Sequence, residues 1–155
     1  MIKIMFVCHG NICRSPMAEF IMKKMIKDNK MENDFYISSS ATSSEEIYNG
    51  VGSPIYPPIK DVLRRHNIPF IEREAVRLKK EDYESYDLLI GMDSYNIRNI
   101  KNIVGEDKNN KIHMLGEYSN NKDIFDPWYT RDFERSYNEI FKGCIELLYY
   151  LSNNM

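Results

Sequence analysis

The apolar run Ile2-Lys-Ile-Met-Phe-Val7 passes directly into Cys8-His-Gly-Asn-Ile-Cys13-Arg14-Ser15-Pro16, and this junction constrains the fold more than any other stretch. Ile2–Val7 reads as a strand. Met17–Asp28 reads as a helix, with Met17, Ala18, Ile21, Met22, Met25 and Ile26 on one stripe. The residues between them must turn the chain within a few positions. Gly10 and Asn11 both tolerate positive φ, which a cradle-shaped turn requires. Ser15 suits a helix N-cap, and Pro16 suits the first helical position, where a missing N–H costs nothing. Such a junction aims loop amides and a helix N-terminus at one point, which makes an anion-binding concavity.

Cys8 is expected at the base of that cradle. An electropositive helix start favours the thiolate form of a cysteine. Arg14 adds a fixed charge whose planar fork can hold two equatorial phosphate oxygens, and the Ser15 hydroxyl can donate to the sulfur. A nucleophile, a cation and backbone donors around one point suit a phosphate ester. Taken alone, Cys8 would be better explained as a small apolar residue buried at a strand end; the Gly, Asn, Arg and Ser around it argue for chemistry. A Walker-type loop is excluded, because no Gly-Lys-Ser/Thr follows. Zinc is disfavoured: Cys8 and Cys13 are five positions apart and no second ligand pair appears. His66 and His113 read as structural or surface residues, so neither a metal nor a cofactor is expected.

The second chemical element is Asp126-Pro127-Trp128. An unprotonated tyrosine oxygen is a poor leaving group, because its conjugate acid has a pKa of about 10. A carboxylic acid placed over that oxygen accelerates its departure, typically by about 10²–10⁴-fold. Pro127 restricts Asp126 to extended geometry. Trp128 and Tyr129 are expected to form an aromatic wall beside the substrate ring. On its own the stretch would be as readily an ordinary Asp-Pro turn; paired with the Cys8 loop it supplies the acid that ester cleavage needs.

Strands are predicted at Ile2–Val7, Phe35–Ser39, Asp87–Met92 and Lys111–Leu115, and helices at Met17–Asp28, Pro57–His66, Lys79–Tyr86, Ser94–Val104 and Arg131–Leu151. The strands are short and mostly continuously apolar, as in a parallel sheet covered on both faces. In the last helix Phe133, Tyr137, Ile140, Phe141, Cys144, Leu148 and Leu151 recur at helical spacing and read as core. Ser152 to Met155 are expected to fray. Alternating strands and helices imply right-handed crossovers and an α/β fold, with ligands bound beyond the carboxyl ends of the strands, where the Cys8 loop lies.

A chain of 155 residues predicts one domain, spanning 1–155. A net charge of −2 gives no reason to expect nucleic acid or an anionic membrane as partner. No apolar run approaches the roughly 18 residues of a membrane span, and the N-terminus reads as a strand rather than a signal peptide. Three cysteines, one needed as a thiolate, suggest a reducing compartment, with the cytoplasm as the default.

Cys8-His-Gly-Asn-Ile-Cys-Arg-Ser-Pro-Met-Ala-Glu19 resembles the phosphate loop of the low-molecular-weight protein tyrosine phosphatases. Similar stretches are Ser39-Ser-Ala-Thr-Ser43, Arg65-His-Asn-Ile68, Gly91-Met-Asp93 and Phe125-Asp-Pro-Trp128, so the likeness covers nearly the whole chain. The resemblance implies a phosphatase I-like fold, with four parallel strands in the order 2-1-3-4 and helices on both faces. It also implies a metal-independent hydrolase acting on a phosphotyrosine-containing protein or a small phosphoester, as a monomer or weak homodimer. Cys8 would be the nucleophile, Arg14 the phosphate clamp and Asp126 the general acid and base. His9, Gly10, Asn11, Ile12, Cys13 and Ser15 would line the phosphate site.

The resemblance carries further expectations. Asn11 would join a hydrogen-bond network with Ser39. Asp93 either contacts the site or caps the helix beginning at Ser94. Cys13 either lines the pocket or forms a disulfide with oxidised Cys8. Tyr129 matches a tyrosine that can be phosphorylated. Glu46, Ile47 and Tyr48 fall in the variable rim of the pocket. His9 replaces a more usual aliphatic residue, and Glu72–Arg77 lacks a histidine common there. Ile12 stands where a subgroup acting on phosphoarginine carries threonine, and favours an aromatic ester. An arsenate reductase would need further relay cysteines, which Lys79–Asp93 lacks. A phosphocysteine carrier would not need Asp126, and a non-catalytic phosphotyrosine-binding module would usually have lost Cys8 or Asp126.

Overall fold

The computed structural model describes residues 1–155. Strand β1 (Ile2–Cys8) leads into α1 (Arg14–Asp28), followed by β2 (Phe35–Ala41), the short strands β3 (Ile47–Tyr48) and β4 (Val51–Gly52), and α2 (Pro57–Arg65). The second half holds α3 (Asp82–Ser85), β5 (Leu88–Gly91), α4 (Ser94–Val104), β6 (Ile112–Met114), a 3₁₀ turn at Leu115–Tyr118, α5 (Pro127–Thr130) and α6 (Phe133–Asn153). The main sheet has the order β2-β1-β5-β6, and every pairing in it is parallel. Counted within that sheet, this is the expected order 2-1-3-4.

Alternation along β1 divides the core. Ile4, Phe6 and Cys8 face the larger cluster, where α1, α2 and α6 contribute Met17, Ile21, Leu63, Ile140 and Leu147. Met5 and Val7 face the smaller one, with Leu89, Ile100, Val104 and Ile112. Central strand β1 is therefore apolar at nearly every position, and its last residue, Cys8, leaves the sheet at the carboxyl edge.

Several elements depart from the sequence expectation. Helix α1 begins at Arg14, not Met17, with Cys13 as N-cap; Ser15 lies inside the first turn because its hydroxyl serves Cys8 and Asn11 instead of capping. The helix expected at Lys79–Tyr86 shrinks to the single turn α3. The chain before it remains extended: Arg77 bridges Ala41, and the Leu78 N–H bonds the Ala41 carbonyl at 2.8 Å. Helix α6 starts two residues late, because Arg131 is left-handed (φ 65°) and Asp132 caps the helix by accepting from the Arg135 N–H. Phe141 is not core: it lies at the surface against Tyr137, and Leu147 takes the buried position. Ser152 and Asn153 are helical, with the Ser152 hydroxyl bonded to the Leu148 carbonyl. The β3–β4 hairpin was not anticipated, although Asn49-Gly50 marks it; both residues have positive φ, as a tight hairpin turn requires. No helix is long and apolar enough to cross a membrane.

Candidate active site

The loop after β1 closes around one sulfur. Cys8 Sγ lies 3.0 Å from the Ser15 hydroxyl and accepts N–H bonds from Asn11 (3.3 Å) and Ser15 (3.4 Å). Cys8 is only 3 % exposed. Two main-chain N–H groups and a hydroxyl thus surround a buried sulfur. The N–H groups of Gly10, Ile12 and Cys13 find no acceptor within the chain, which leaves a cluster of main-chain donors at the carboxyl edge of the sheet, beside the start of α1.

The turn depends on Asn11. Of the two residues expected to take positive φ, only Asn11 does so, at 59°. Gly10 has ordinary backbone; a β-carbon there would come within 3.3 Å of the Glu46 side chain, a contact that a small shift of that side chain relieves. Asn11 is fully buried and completely bonded. Its amide nitrogen donates to Ser15 Oγ (2.8 Å) and Ser39 Oγ (3.0 Å), and its side-chain oxygen accepts from the Val76 N–H (3.0 Å). The Asn11–Ser39 contact is the one the resemblance implied.

Arg73 completes this network from the stretch that lacks the expected histidine. Its Nη1 donates to the Asn11 carbonyl and its Nη2 to Ser39 Oγ, both at 2.8 Å. Ser39 Oγ in turn donates to Glu19 Oε1 at 2.6 Å. Burial holds the Arg73 guanidinium below its ordinary value, opposed by the negative charges of Glu19 and Cys8. Sequence alone gave no role to Arg73 or Glu19: Arg73 lies 62 positions from Asn11 in a loop with no spacing to mark it, and Glu19 closes the Cys8–Glu19 stretch with no partner visible beside it.

Arg14, 4 % exposed, is aimed by two fixed acceptors. Nη1 donates to Asp93 Oδ2 (2.9 Å) and to the Ile124 carbonyl (3.0 Å), while Nη2 lies 3.6 Å from Asp126 Oδ2. Burial would lower its pKa, but the negative charges of Cys8, Asp93 and Asp126 outweigh it and hold the guanidinium above its ordinary value. Asp93 satisfies both alternatives raised for it. Oδ2 holds Arg14, while Oδ1 caps α4 by accepting from the Asn96 N–H at 2.8 Å.

Asp126 caps the short helix α5, its Oδ1 accepting from the Trp128 N–H at 3.0 Å, and its side chain is 42 % exposed. The expected aromatic wall is only partly as foreseen. Trp128 is half-exposed and packs against Tyr56, their ring centroids 5.4 Å apart, while Tyr129 stands in solvent. Tyr56 was missed, since nothing in its local sequence sets it apart from a residue preceding a helix. Glu46 lies beside Gly10, Ile47 and the exposed Tyr48 form strand β3 of the hairpin, and His9 Nε2 lies 3.0 Å from Glu45 Oε2. Ile12 is buried, and its carbonyl accepts the Tyr56 N–H. Cys13 is a free, half-buried thiol, pushed far above its ordinary pKa by burial and then by the negative charge of Cys8.

Comparison with known proteins agrees with this geometry. A family model described as low molecular weight phosphotyrosine protein phosphatase matches residues 3–155. The chain is 36 % identical over 153 residues to the low molecular weight protein-tyrosine-phosphatase PtpA of Staphylococcus aureus, covering 97 % of this chain and 94 % of the relative. Among solved structures it is similar to YfkJ from Bacillus subtilis (TM-score 0.92, 31 % identity, covering 99 % of this chain and 96 % of the other). It is also similar to SP-PTP, a low molecular weight protein tyrosine phosphatase from Streptococcus pyogenes (TM-score 0.86, 37 % identity, covering 97 % and 93 %). With a family model matched over residues 3–155 and a relative 36 % identical over 153 residues, the chain belongs to the low molecular weight phosphotyrosine protein phosphatase family.

Proposed function

We propose that this phosphatase cleaves phosphotyrosine monoesters in two steps that use Cys8, Arg14 and Asp126. In the first, Cys8 Sγ attacks phosphorus, the P–O bond to the aryl group breaks, and the Asp126 proton passes to the departing oxygen. In the second, Asp126 takes a proton from a water that attacks phosphorus, and the S–P bond breaks. The Ser15 hydroxyl, 3.0 Å from Sγ, stabilises the sulfur as it leaves. Arg14 and the amides of residues 9–14 hold the equatorial oxygens in both transition states. The observation that carries this reading is the loop that brings two N–H groups and the Ser15 hydroxyl onto Cys8 Sγ, with the adjoining Arg14 held 3.6 Å from Asp126.

The substrate class is a phosphotyrosine-bearing protein or a small aryl phosphoester. The buried Ile12 and the half-exposed Trp128 offer apolar surface to an aromatic ring. Cys13 is assigned as a partner for oxidised Cys8, and the cytoplasm as the compartment, on the strength of the thiol chemistry. The decisive experiment compares phosphotyrosine, phosphoserine and phosphoarginine turnover, in the presence of a chelator and with and without vanadate. Vanadate-sensitive activity selective for phosphotyrosine, abolished by Cys8→Ser, is expected. Preference for phosphoarginine, or activity surviving Cys8→Ser, refutes the assignment.

A further inference from the structure

The segment carrying Asp126 is held differently on its two sides. On the N-terminal side, Ile124 donates its N–H to the Met92 carbonyl (2.8 Å) and accepts from Arg14 (3.0 Å). Phe125 donates its N–H to Glu139 Oε1 (2.7 Å) and accepts from the Ser136 hydroxyl (2.6 Å). On the C-terminal side, Trp128 to Arg131 are all exposed, and the one-turn helix α5 is too short to hold its own shape. Arg131 ties this side down. Its Nη1 donates to the Tyr56 hydroxyl at 2.6 Å, and its guanidinium lies over the rings of Tyr56 (5.3 Å) and Phe133 (5.1 Å).

Tyr56 reaches both halves of the site. Its N–H bonds the Ile12 carbonyl in the Cys8 loop at 3.0 Å, and its ring packs on Trp128 beside Asp126. The backbone adds an independent observation. Arg131 sits in the left-handed region at φ 65° and ψ 17°, where glycine is the ordinary occupant. A long side chain persists in such a conformation when its surroundings over-determine it. Here the surroundings are Tyr56 and Phe133, contacts that a glycine could not make.

We propose that Tyr56 and Arg131 are positioning residues for proton transfer: the clasp between them fixes the Asp126 turn against the Cys8 loop, so that the carboxyl group meets the ester oxygen. The inference rests on Asp126 being the general acid. Loosening the clasp therefore matters in proportion to how much the leaving oxygen needs a proton.

The test uses Tyr56→Phe, which removes only the hydroxyl, and Arg131→Gly, which keeps the left-handed turn and removes only the side chain. Values of kcat/KM are measured with phenyl phosphate, whose leaving group resembles tyrosine, and with 2,4-dinitrophenyl phosphate, whose leaving group departs unprotonated. Each variant is expected to lose about 10-fold on phenyl phosphate and less than about 2-fold on the dinitrophenyl ester. The double variant is expected to lose no more than the worse single one, because both remove the same contact. Equal losses on both esters, or no loss on either, overturn the clasp. Asp126→Ala measured alongside separates the two ideas. If that variant loses equally on both esters, the acid assignment fails and the clasp fails with it; if it is selective while Tyr56→Phe and Arg131→Gly are not, only the clasp fails.

Discussion

Arg14 Nη1 lies 2.9 Å from Asp93 Oδ2, and the other oxygen of the same carboxylate caps helix α4. One side chain thus anchors a helix and aims the cation of the phosphate site. Asp93→Asn can retain the cap through its remaining oxygen but loses the charge beside a buried guanidinium. It is expected to lower kcat/KM by about 10- to 100-fold, consistent with a loss of roughly 1.5–3 kcal/mol for a hydrogen bond to a charged group. Asp93→Ala should add about 1 kcal/mol of destabilisation from the lost cap. Urea denaturation of both variants, set against their kinetics, separates the two functions; equal stability in the two would contradict the capping role.

Asp126 is expected to matter only where the leaving group needs its proton. Asp126→Ala should lower kcat/KM for phosphotyrosine by about 10²–10³-fold. An ester with an acidic leaving group should lose far less. Rates measured across a series of substituted phenyl phosphates check this through the steepness of their dependence on leaving-group pKa.

Arg73 should act on the nucleophile without touching it. Arg73→Met leaves the Asn11 carbonyl and the Ser39 hydroxyl short of a donor, and removes a cation from behind the Cys8 loop. A stability loss of about 1–3 kcal/mol is expected from the unsatisfied buried groups. Turnover of phosphotyrosine should fall by about 10-fold as the Asn11 carbonyl, and with it the Cys8 loop, loses a charged donor. Unchanged kcat/KM in a destabilised variant would limit Arg73 to a packing role.

Asp107 gives the fold a pH dependence at the sheet edge remote from the site. Burial alone would raise its pKa, but bonds from the Tyr83 hydroxyl (2.6 Å) and the N–H groups of Lys111 (2.8 Å) and Ile112 (3.1 Å) hold it below the ordinary carboxylate range. A depressed folded-state pKa means stability that is present above the unfolded value of about 3.9 and is lost as pH falls through the folded value. Asp107→Asn should therefore flatten the stability profile below about pH 4. Thermal melts across that range would show no difference from the native chain if the carboxylate contributes nothing.

Much of this protein was legible before any coordinates. The apolar run of β1, the helical stripe of α1 and the Cys8–Pro16 stretch are local patterns, and local patterns carry their own geometry: a two-residue period, a 3.6-residue period, a turn that needs Asn11. They determined the parallel sheet, its carboxyl edge as the site, and the pairing of Cys8 with Arg14. The tertiary structure decided what approaches from a distance. Ser39 and Arg73 are 34 positions apart, Asn11 and Arg73 are 62 apart, and Tyr56 and Arg131 are 75 apart. No sequence period links such pairs, because each depends on the summed path of several strands and crossovers. For the same reason Ser15 serves the sulfur and Asn11 rather than capping its helix: its role follows from where β1 places Cys8, and a hydroxyl goes to whichever partners the fold brings within reach.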